Sequence, residues 1–486
     1  MHVFDSNRSS HLHGFRQNHA SHLDGFLLPA YTLHMDTTNL EQMIRRIILD
    51  NQNRIDEGTY VERELSVERI KGKATIITGM RRVGKSVYQH LYCQKLKESG
   101  VPKENFCILD FSDDRLYGLR SHDPAIIADA YYALFAEKTQ ETVYFFFDEI
   151  QYLHHWELFV NRLMNTLPCQ VNITGSSAKL LVKEIATEFG GRSLAWELYP
   201  FSFSEYVASK RVVRSIPPLL SMSSDDIQYV RQWFDEYLTI GGIPESLLMS
   251  SETTRVKFLQ DLAHTVVFRD VIERFNLTNV IELRRLMQMT LNQMGGLTSL
   301  NKLKSRMAGE GYRISAAMVR DAIEYFEDAY LIHTVEIFSM NRAVRSTNPK
   351  KFYAGDHALA MAVSQKITPN LGNILENIIF LHLRRNYRQI YWARTPSGKE
   401  IDFVTIALGT PAHPTETIQL WQICYEMENQ GTFERETQAL WEGMKVYGVK
   451  NGTIITHNTE QQLSKEGMTI AVIPAWKFLL SPLALQ

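Results

Sequence analysis

TIITGMRRVGKSVYQHLY, residues 75–92, decides the fold. A short β-branched run ends in a glycine, two arginines follow, then Gly84-Lys85-Ser86, then a helical pattern. The run KATIITG suits a parallel strand buried on both faces. Gly79 to Ser86 fits G-x-x-x-x-G-K-S. The loop Gly79, Met80, Arg81, Arg82, Val83, Gly84, Lys85 and Ser86, with Val87 behind it, therefore reads as a phosphate cradle. Its glycines let backbone N–H groups curl around phosphate oxygens with no Cβ in the way. A helix starting at about Lys85 adds its positive N-terminal dipole. Lys85 is placed to reach the β and γ phosphates, and Ser86 to offer a hydroxyl to Mg²⁺.

Further along, ETVYFFFDEIQYL gives an apolar strand, Tyr144 to Phe147, ending in Asp148-Glu149. A carboxylate at that edge of a parallel sheet faces the crevice where ligands bind. Asp148 is expected to hold the Mg²⁺ shell and Glu149 to take a proton from an attacking water. CQVNITGSS ends in Thr174, Ser176 and Ser177. A hydroxyl there would touch the γ-phosphate or the water, although strand ends also carry Ser and Thr as turn formers. Arg192 follows two glycines on a loop, from which it would reach a neighbouring subunit's phosphate in the transition state. FCILDFSDDRLYG reads as one more strand and IIADAYYALFAEK as a helix, which gives a parallel sheet with helical cover.

GMRRVGKS, FFFDEIQ, NITGSSAKLL, GGRSLAWELYPFSFSEY and GGIPESLL together resemble the prokaryotic AAA+ ATPases that carry a nuclease-like C-terminal domain. They also resemble the wider STAND group, with its Gly-Arg after the sensor strand and Gly-x-Pro in the lid. The resemblance runs from about Met35 to the C-terminus. It implies Thr174 or Ser176 as the sensor position, Arg192 as the arginine finger and Gly242 to Pro244 as the lid motif, with Pro244 near the adenine. The fold class it implies is α/β: a parallel-sheet P-loop AAA+ core with a helical lid, a winged helix and a C-terminal restriction-endonuclease-like α/β domain.

Residues 201–265 hold amphipathic helices, one ending at Gly241-Gly242 before Pro244 restarts the chain. HTVVFRDVIERFNL places Arg269, Asp270, Glu273 and Arg274 on a helix, where i, i+4 pairs on a solvated face are expected. TSLNKLKSRMAGEGYRISAAMVRDAIEYFEDAYLIHTVEIF followed by KKFYAGD is a winged helix-turn-helix pattern. Its second helix carries Arg320 against Asp321, Glu324, Glu327 and Asp328, which would repel phosphates. Backbone contact would fall to Lys302, Lys304 and Arg306, and to Arg342, Arg345, Lys350 and Lys351 of the wing. A protein-packing role is expected over DNA readout.

LGNILENIIFLHLRRNY is an amphipathic helix with Glu376 in its apolar face. A hairpin with Asp402 and the strand ETIQLWQICYEM follow. The arrangement resembles the PD-(D/E)XK nuclease core, in which carboxylates hold Mg²⁺ and a lysine orients water. Here Gln422 and Cys424 stand where a carboxylate and the lysine belong. Glu376, Asp402 and Gln422 thus read as a degenerate nuclease site without cleavage activity. "GKEID" also suits a turn salt-bridged through Lys399.

The chain has 486 residues, 44% of them hydrophobic and 22% charged, with a net charge of −2, so no global field calls for nucleic acid or membrane. Its four scattered cysteines suit a reducing cytoplasm, and no membrane span or signal peptide is read. The histidine-rich residues 1–34 read as a disordered tail. Domains are expected at 35–200 (core with an N-terminal helix), 201–265 (lid), 266–355 (winged helix) and 356–486 (nuclease-like). The expected protein is a cytoplasmic Mg²⁺-dependent ATPase that couples ATP hydrolysis to conformational change in a homo-oligomer, with a DNA or protein client and no membrane partner. The alternative is an ATP-gated DNA-processing nuclease or DNA-binding protein.

Overall fold

The computed structural model describes residues 36–176, 191–210, 215–364, 370–407, 417–427 and 430–481. The histidine-rich tail and Ser177 lie outside these.

Five strands form the first sheet: β1 (Ala74–Thr78), β2 (Phe106–Asp110), β3 (Val143–Asp148), β4 (Cys169–Gly175) and β5 (Ser193–Glu197). All pair in parallel, in the order β2-β3-β4-β1-β5. β1 is buried along its whole length, as a central strand covered on both faces must be. The helices Lys85–Glu98, Ile126–Leu134 and Trp156–Thr166 cover this sheet, and the N-terminal helix Thr37–Asn53 packs on β2 through Leu40, Ile44, Ile47 and Ile48. The sequence reading did not foresee β5. It is a half-buried edge strand whose SLAWE lacks the apolar run of the inner strands.

Register then builds the site. Phe147 lies beside Ile173 and Ile77 beside Thr174. The C-terminal ends of β1, β3 and β4 therefore finish level, with Asp148, Thr174 and the loop after Thr78 side by side.

A helical region follows: Phe203–Ser209, Ser224–Ile240, Glu252–Thr265 and Val280–Leu291. Gly241 ends the second of these at φ 78°, a conformation that favours glycine. Between Thr265 and Arg274 the chain winds as a π-helix, Val266–Glu273. Here the expected solvated face is found only in part. Arg269 and Glu273 are exposed, but Asp270 is buried against the first sheet's loop, because the wider π turn aims it inward with Val266, Val267 and Val271.

A small antiparallel sheet joins β6 (Leu297–Thr298), β7 (Ile332–Val335) and β8 (Lys350–Ala354) in the order β6-β8-β7, with the helices Leu300–Gly309 and Ala316–Asp328 beside it. Last comes a six-stranded mixed sheet: β9 (Gln389–Arg394), β10 (Glu400–Ala407), β11 (Thr417–Cys424), β12 (Asn451–Thr456), β13 (Gln461–Lys465) and β14 (Met468–Pro474), ordered β13-β14-β12-β11-β10-β9. Side chains alternate between its faces. Phe403, Trp421 and Ile455 pack with the helix Leu371–Asn386, while Val404, Leu420 and Ile454 pack with Leu440 and Met444 of the helix Gln430–Tyr447.

These parts are fastened to the first sheet. Tyr330 donates to Thr78 Oγ1 at 2.6 Å, Arg384 to Glu197 at 3.0 Å and Arg385 to the Pro200 carbonyl at 2.7 Å. Among the described residues, no helix is long and apolar enough to cross a membrane.

Candidate active site

The loop after β1 is shaped by its glycines. Gly79 has φ 149°, and a Cβ there would stand 2.3 Å from the Leu198 carbonyl oxygen. Gly84 has φ 93° and starts the helix that begins at Lys85. Lys85 is buried, with its ammonium folded inside the loop, donating to the carbonyls of Gly79 at 2.9 Å and Met80 at 3.1 Å. Beside it, Glu149 Oε1 lies 4.0 Å from Lys85 Nζ. The sequence-predicted loop, lysine and acid pair thus come together.

Thr174 braces the acids. Its hydroxyl donates to Asp148 Oδ1 and accepts from the Glu149 amide at 3.0 Å. Glu149 has φ 50°, a conformation unusual for a side-chain-bearing residue, and Thr174 holds it there. Burial pushes Asp148 up to about 6, while hydrogen bonds from Ser86 and Thr174 hold it down. Asp110, at the end of β2, adds a second carboxylate nearby. Ser86 beside half-buried Asp148 is a hard-oxygen set that fits Mg²⁺.

The cavity measures about 1130 Å³, large enough for a nucleotide. Its lining also includes the apolar side chains of Val61, Pro244, Leu247, Leu248, Phe258 and Leu262. Pro244 is therefore on the cavity. Tyr60, Val61 and Arg63 were not singled out from the sequence, since they precede β1 in a stretch with neither periodicity nor motif. Arg63 is almost fully buried and holds the wall together. It pairs with Glu205 at 2.8 Å and donates to the carbonyls of Val83 at 2.8 Å and Tyr199 at 2.6 Å. Glu205 also closes the capping box of its own helix with Ser202.

The other loop side chains divide. Met80 and Val83 point into the core, and Val87 lines the cavity. Arg81 forms a two-point pair with Asp270, and Arg82 reaches Glu245 at 2.5 Å, next to Pro244. Ser176 donates to Asp270 Oδ1 at 3.2 Å. Arg192 is elsewhere. It precedes β5 at the edge where β1 begins, the opposite end of the strands from the loop, and donates to Asn161 and Asn165.

A second polar cluster joins β8 to the six-stranded sheet. Lys351 Nζ donates to Glu376 at 2.8 Å, Asp402 at 2.8 Å and Glu400 at 2.7 Å, and its side chain has no exposure. This corrects the wing reading. Lys351 is no phosphate-facing residue: β8 turns it inward, and its stem lies among Tyr353, Phe403 and their neighbours. Lys350 pairs with Glu336, and Arg342 and Arg345 lie on a short helix, Arg342–Thr347. Burial disfavours the Lys351 charge, but Asp402, Glu376 and Glu400 more than offset it and carry its pKa well above the usual value. Burial pushes Glu376 up to about 7, against the pull of Lys351. Gln422 accepts from the Asp402 amide at 3.4 Å and donates to Glu436 at 2.6 Å. Lys399 finds Gln438 at 2.8 Å rather than the expected acid.

Comparison with known proteins gives a match to the AAA domain over residues 71–207 and to a domain of unknown function over residues 231–370. The second match spans the border drawn at 265/266 between lid and winged helix. The chain is similar to the uncharacterized protein MJ1544 of Methanocaldococcus jannaschii, 30% identical over 450 residues that cover 90% of this chain and 95% of that one. An uncharacterized protein of Haemophilus influenzae is 26% identical over 405 residues, covering 82% and 93%. The Walker-type ATPase PABY2304 of Pyrococcus abyssi aligns in structure at 16% identity and a TM-score of 0.40, over 68% of this chain and 95% of that one.

Proposed function

The chain belongs to the family of the Methanocaldococcus jannaschii protein MJ1544 and carries an AAA domain, and on that premise we propose that it binds ATP with Mg²⁺ and hydrolyses it. One observation carries this reading: a buried lysine and a strand-end glutamate meet 4.0 Å apart on one cavity that Val61, Pro244, Leu247 and Phe258 also line. Triphosphate would lie in the loop, with Lys85 and the loop amides taking up phosphoryl charge. The base would rest on those apolar side chains. Ser86 and Asp148 would hold Mg²⁺, which when bound draws charge from the phosphates. Glu149, kept in place by Thr174, would accept the proton of the attacking water. The residues after Pro200 act as the lid over this cavity, residues 266–355 as a winged helix that packs on protein, and the last sheet as a nuclease-like unit. Arg192 is exposed beside the loop Gly191 on a face remote from its own cavity, which suits a finger offered to the next subunit of an oligomer.

Lys85→Ala tests the reading. It removes charge-assisted hydrogen bonds to phosphate, so titration with labelled ATP is expected to show affinity about 100-fold weaker or worse. Unchanged affinity would place the nucleotide elsewhere.

The alternative of an ATP-gated nuclease is less well supported. The position between Glu376, Glu400 and Asp402 is filled by the Lys351 ammonium, and the Gln422 amide is engaged with Glu436. Incubation with Mg²⁺ or Mn²⁺ and single- or double-stranded DNA is expected to leave the DNA whole. Cleavage abolished by Asp402→Ala would reverse this conclusion.

A further inference from the structure

The proposed reaction uses the loop, the strand ends and their acids, yet one buried acid beside them has no part in it. Asp270 belongs to the π-helix, 189 residues from Arg81 in sequence. It accepts from Arg81 Nε at 2.7 Å and from Arg81 Nη2 at 2.9 Å. Its Oδ1 also accepts from Ser176, the last described residue after β4. Ser176 in turn accepts from Gln151 Nε2 at 3.4 Å, and the same amide group donates to Glu149 Oε2. Hydrogen bonds therefore run unbroken from the carboxylate of Glu149 to the phosphate loop, through a residue that belongs to neither.

The segment that carries Asp270 is bound on its other side. Val267 and Val271 share a core with Leu286 and Val319, and Phe275 stacks on Tyr325 at 3.9 Å between ring centres. A π turn is rare and is found frequently at functional sites. Burying a carboxylate on it adds a desolvation cost that only an exact partner offsets. Arg81 is that partner, and its planar fork fixes the angle of approach as well as the distance.

Resting on the ATPase reading, we propose that Asp270 is a positioning residue for hydrolysis. It sets Arg81 in the phosphate loop and, through Ser176 and Gln151, the carboxylate of Glu149. Turnover then requires the segment 266–273 to be seated against the core, and the helices packed on that segment gain a means of switching it. Nucleotide binding, which depends on the loop amides and Lys85, does not require it.

Asp270→Asn keeps the side chain's size but turns an N–H₂ toward the guanidinium. Steady-state kinetics on the full chain are expected to show kcat lowered about tenfold or more, with KM and the affinity for a non-hydrolysable ATP analogue within about threefold of wild type. Adding Ser176→Ala to Asp270→Asn is expected to cost no more than Asp270→Asn alone, because both cut one chain of contacts. Wild-type kcat in Asp270→Asn overturns the proposal, as does a loss of binding that matches the loss of turnover. If Asp270→Asn does not fold, Ser176→Ala decides, since it leaves the Arg81–Asp270 pair intact. A kcat lower by about threefold to tenfold at unchanged KM supports the proposal, and an unchanged kcat overturns it. A wild-type protein with no turnover is a distinct result, which removes the ATPase reading and this inference together.

Discussion

Glu149→Gln is expected to bind ATP as the wild type does and to turn it over about 10²–10⁴-fold more slowly. The amide has the shape of the carboxylate, so the backbone brace survives: the residue-149 N–H still donates to Thr174, and the φ of 50° is undisturbed. What the amide lacks is the ability to take a proton. Because Glu149 lies 4.0 Å from Lys85 and, on the proposed reading, acts on the attacking water and not on the base, affinity should hardly move. Phosphate release measured beside a binding titration separates the two quantities. Turnover at the normal rate would mean that another group activates the water, and Asp110 would be the next acid to substitute.

The second large effect concerns stability. Lys351→Met is expected to cost about 3–5 kcal/mol, the penalty for removing one side of a buried charge cluster. Methionine has similar volume, so the loss is electrostatic: Glu376, Glu400 and Asp402 would be left facing one another. A denaturant midpoint well below wild type with an unchanged slope would report it. Glu400→Gln should cost far less, because that side chain is 36% exposed and water can serve it. The pH response carries a sign. Glu376 has its folded-state pKa raised from 4.5 to about 7, so its contribution is fully present below the unfolded value and is lost as pH rises through about 7. Without Lys351 to hold that carboxyl down, Lys351→Met should regain stability on acidification. A variant as stable as wild type at neutral pH would show that the cluster is solvated in solution.

The core of the site was legible in the sequence because its chemistry is local. A glycine loop, a lysine and a hydroxyl occupy adjacent positions, and strand-end acids announce themselves by the apolar run before them. The order of the strands was not legible, nor was β5, because an edge strand is covered on fewer sides and carries a weaker pattern. Long-range partners were out of reach for a plainer reason. Nothing near Asp270 in the sequence marks it as the counter-ion of Arg81, and a buried aspartate looks like a solvated one until the turn that aims it is known. Lys351 misled in the same way, since alternation along the short KKFYA does not say which lysine faces inward. Arg63 gave no signal at all, although Glu205 could be recognised as half of a capping box.

The expected border between residues 355 and 356 is crossed by buried polar contacts. The Lys351 ammonium and the mutual hydrogen bonds of Ala354 with Asn377 tie β8 to the helix Leu371–Asn386. β8 is therefore a shared beam, held by both the small sheet and the large one. Should the proposed hydrolysis displace residues 266–354, these bonds would have to break before the last sheet could swing free of the small one.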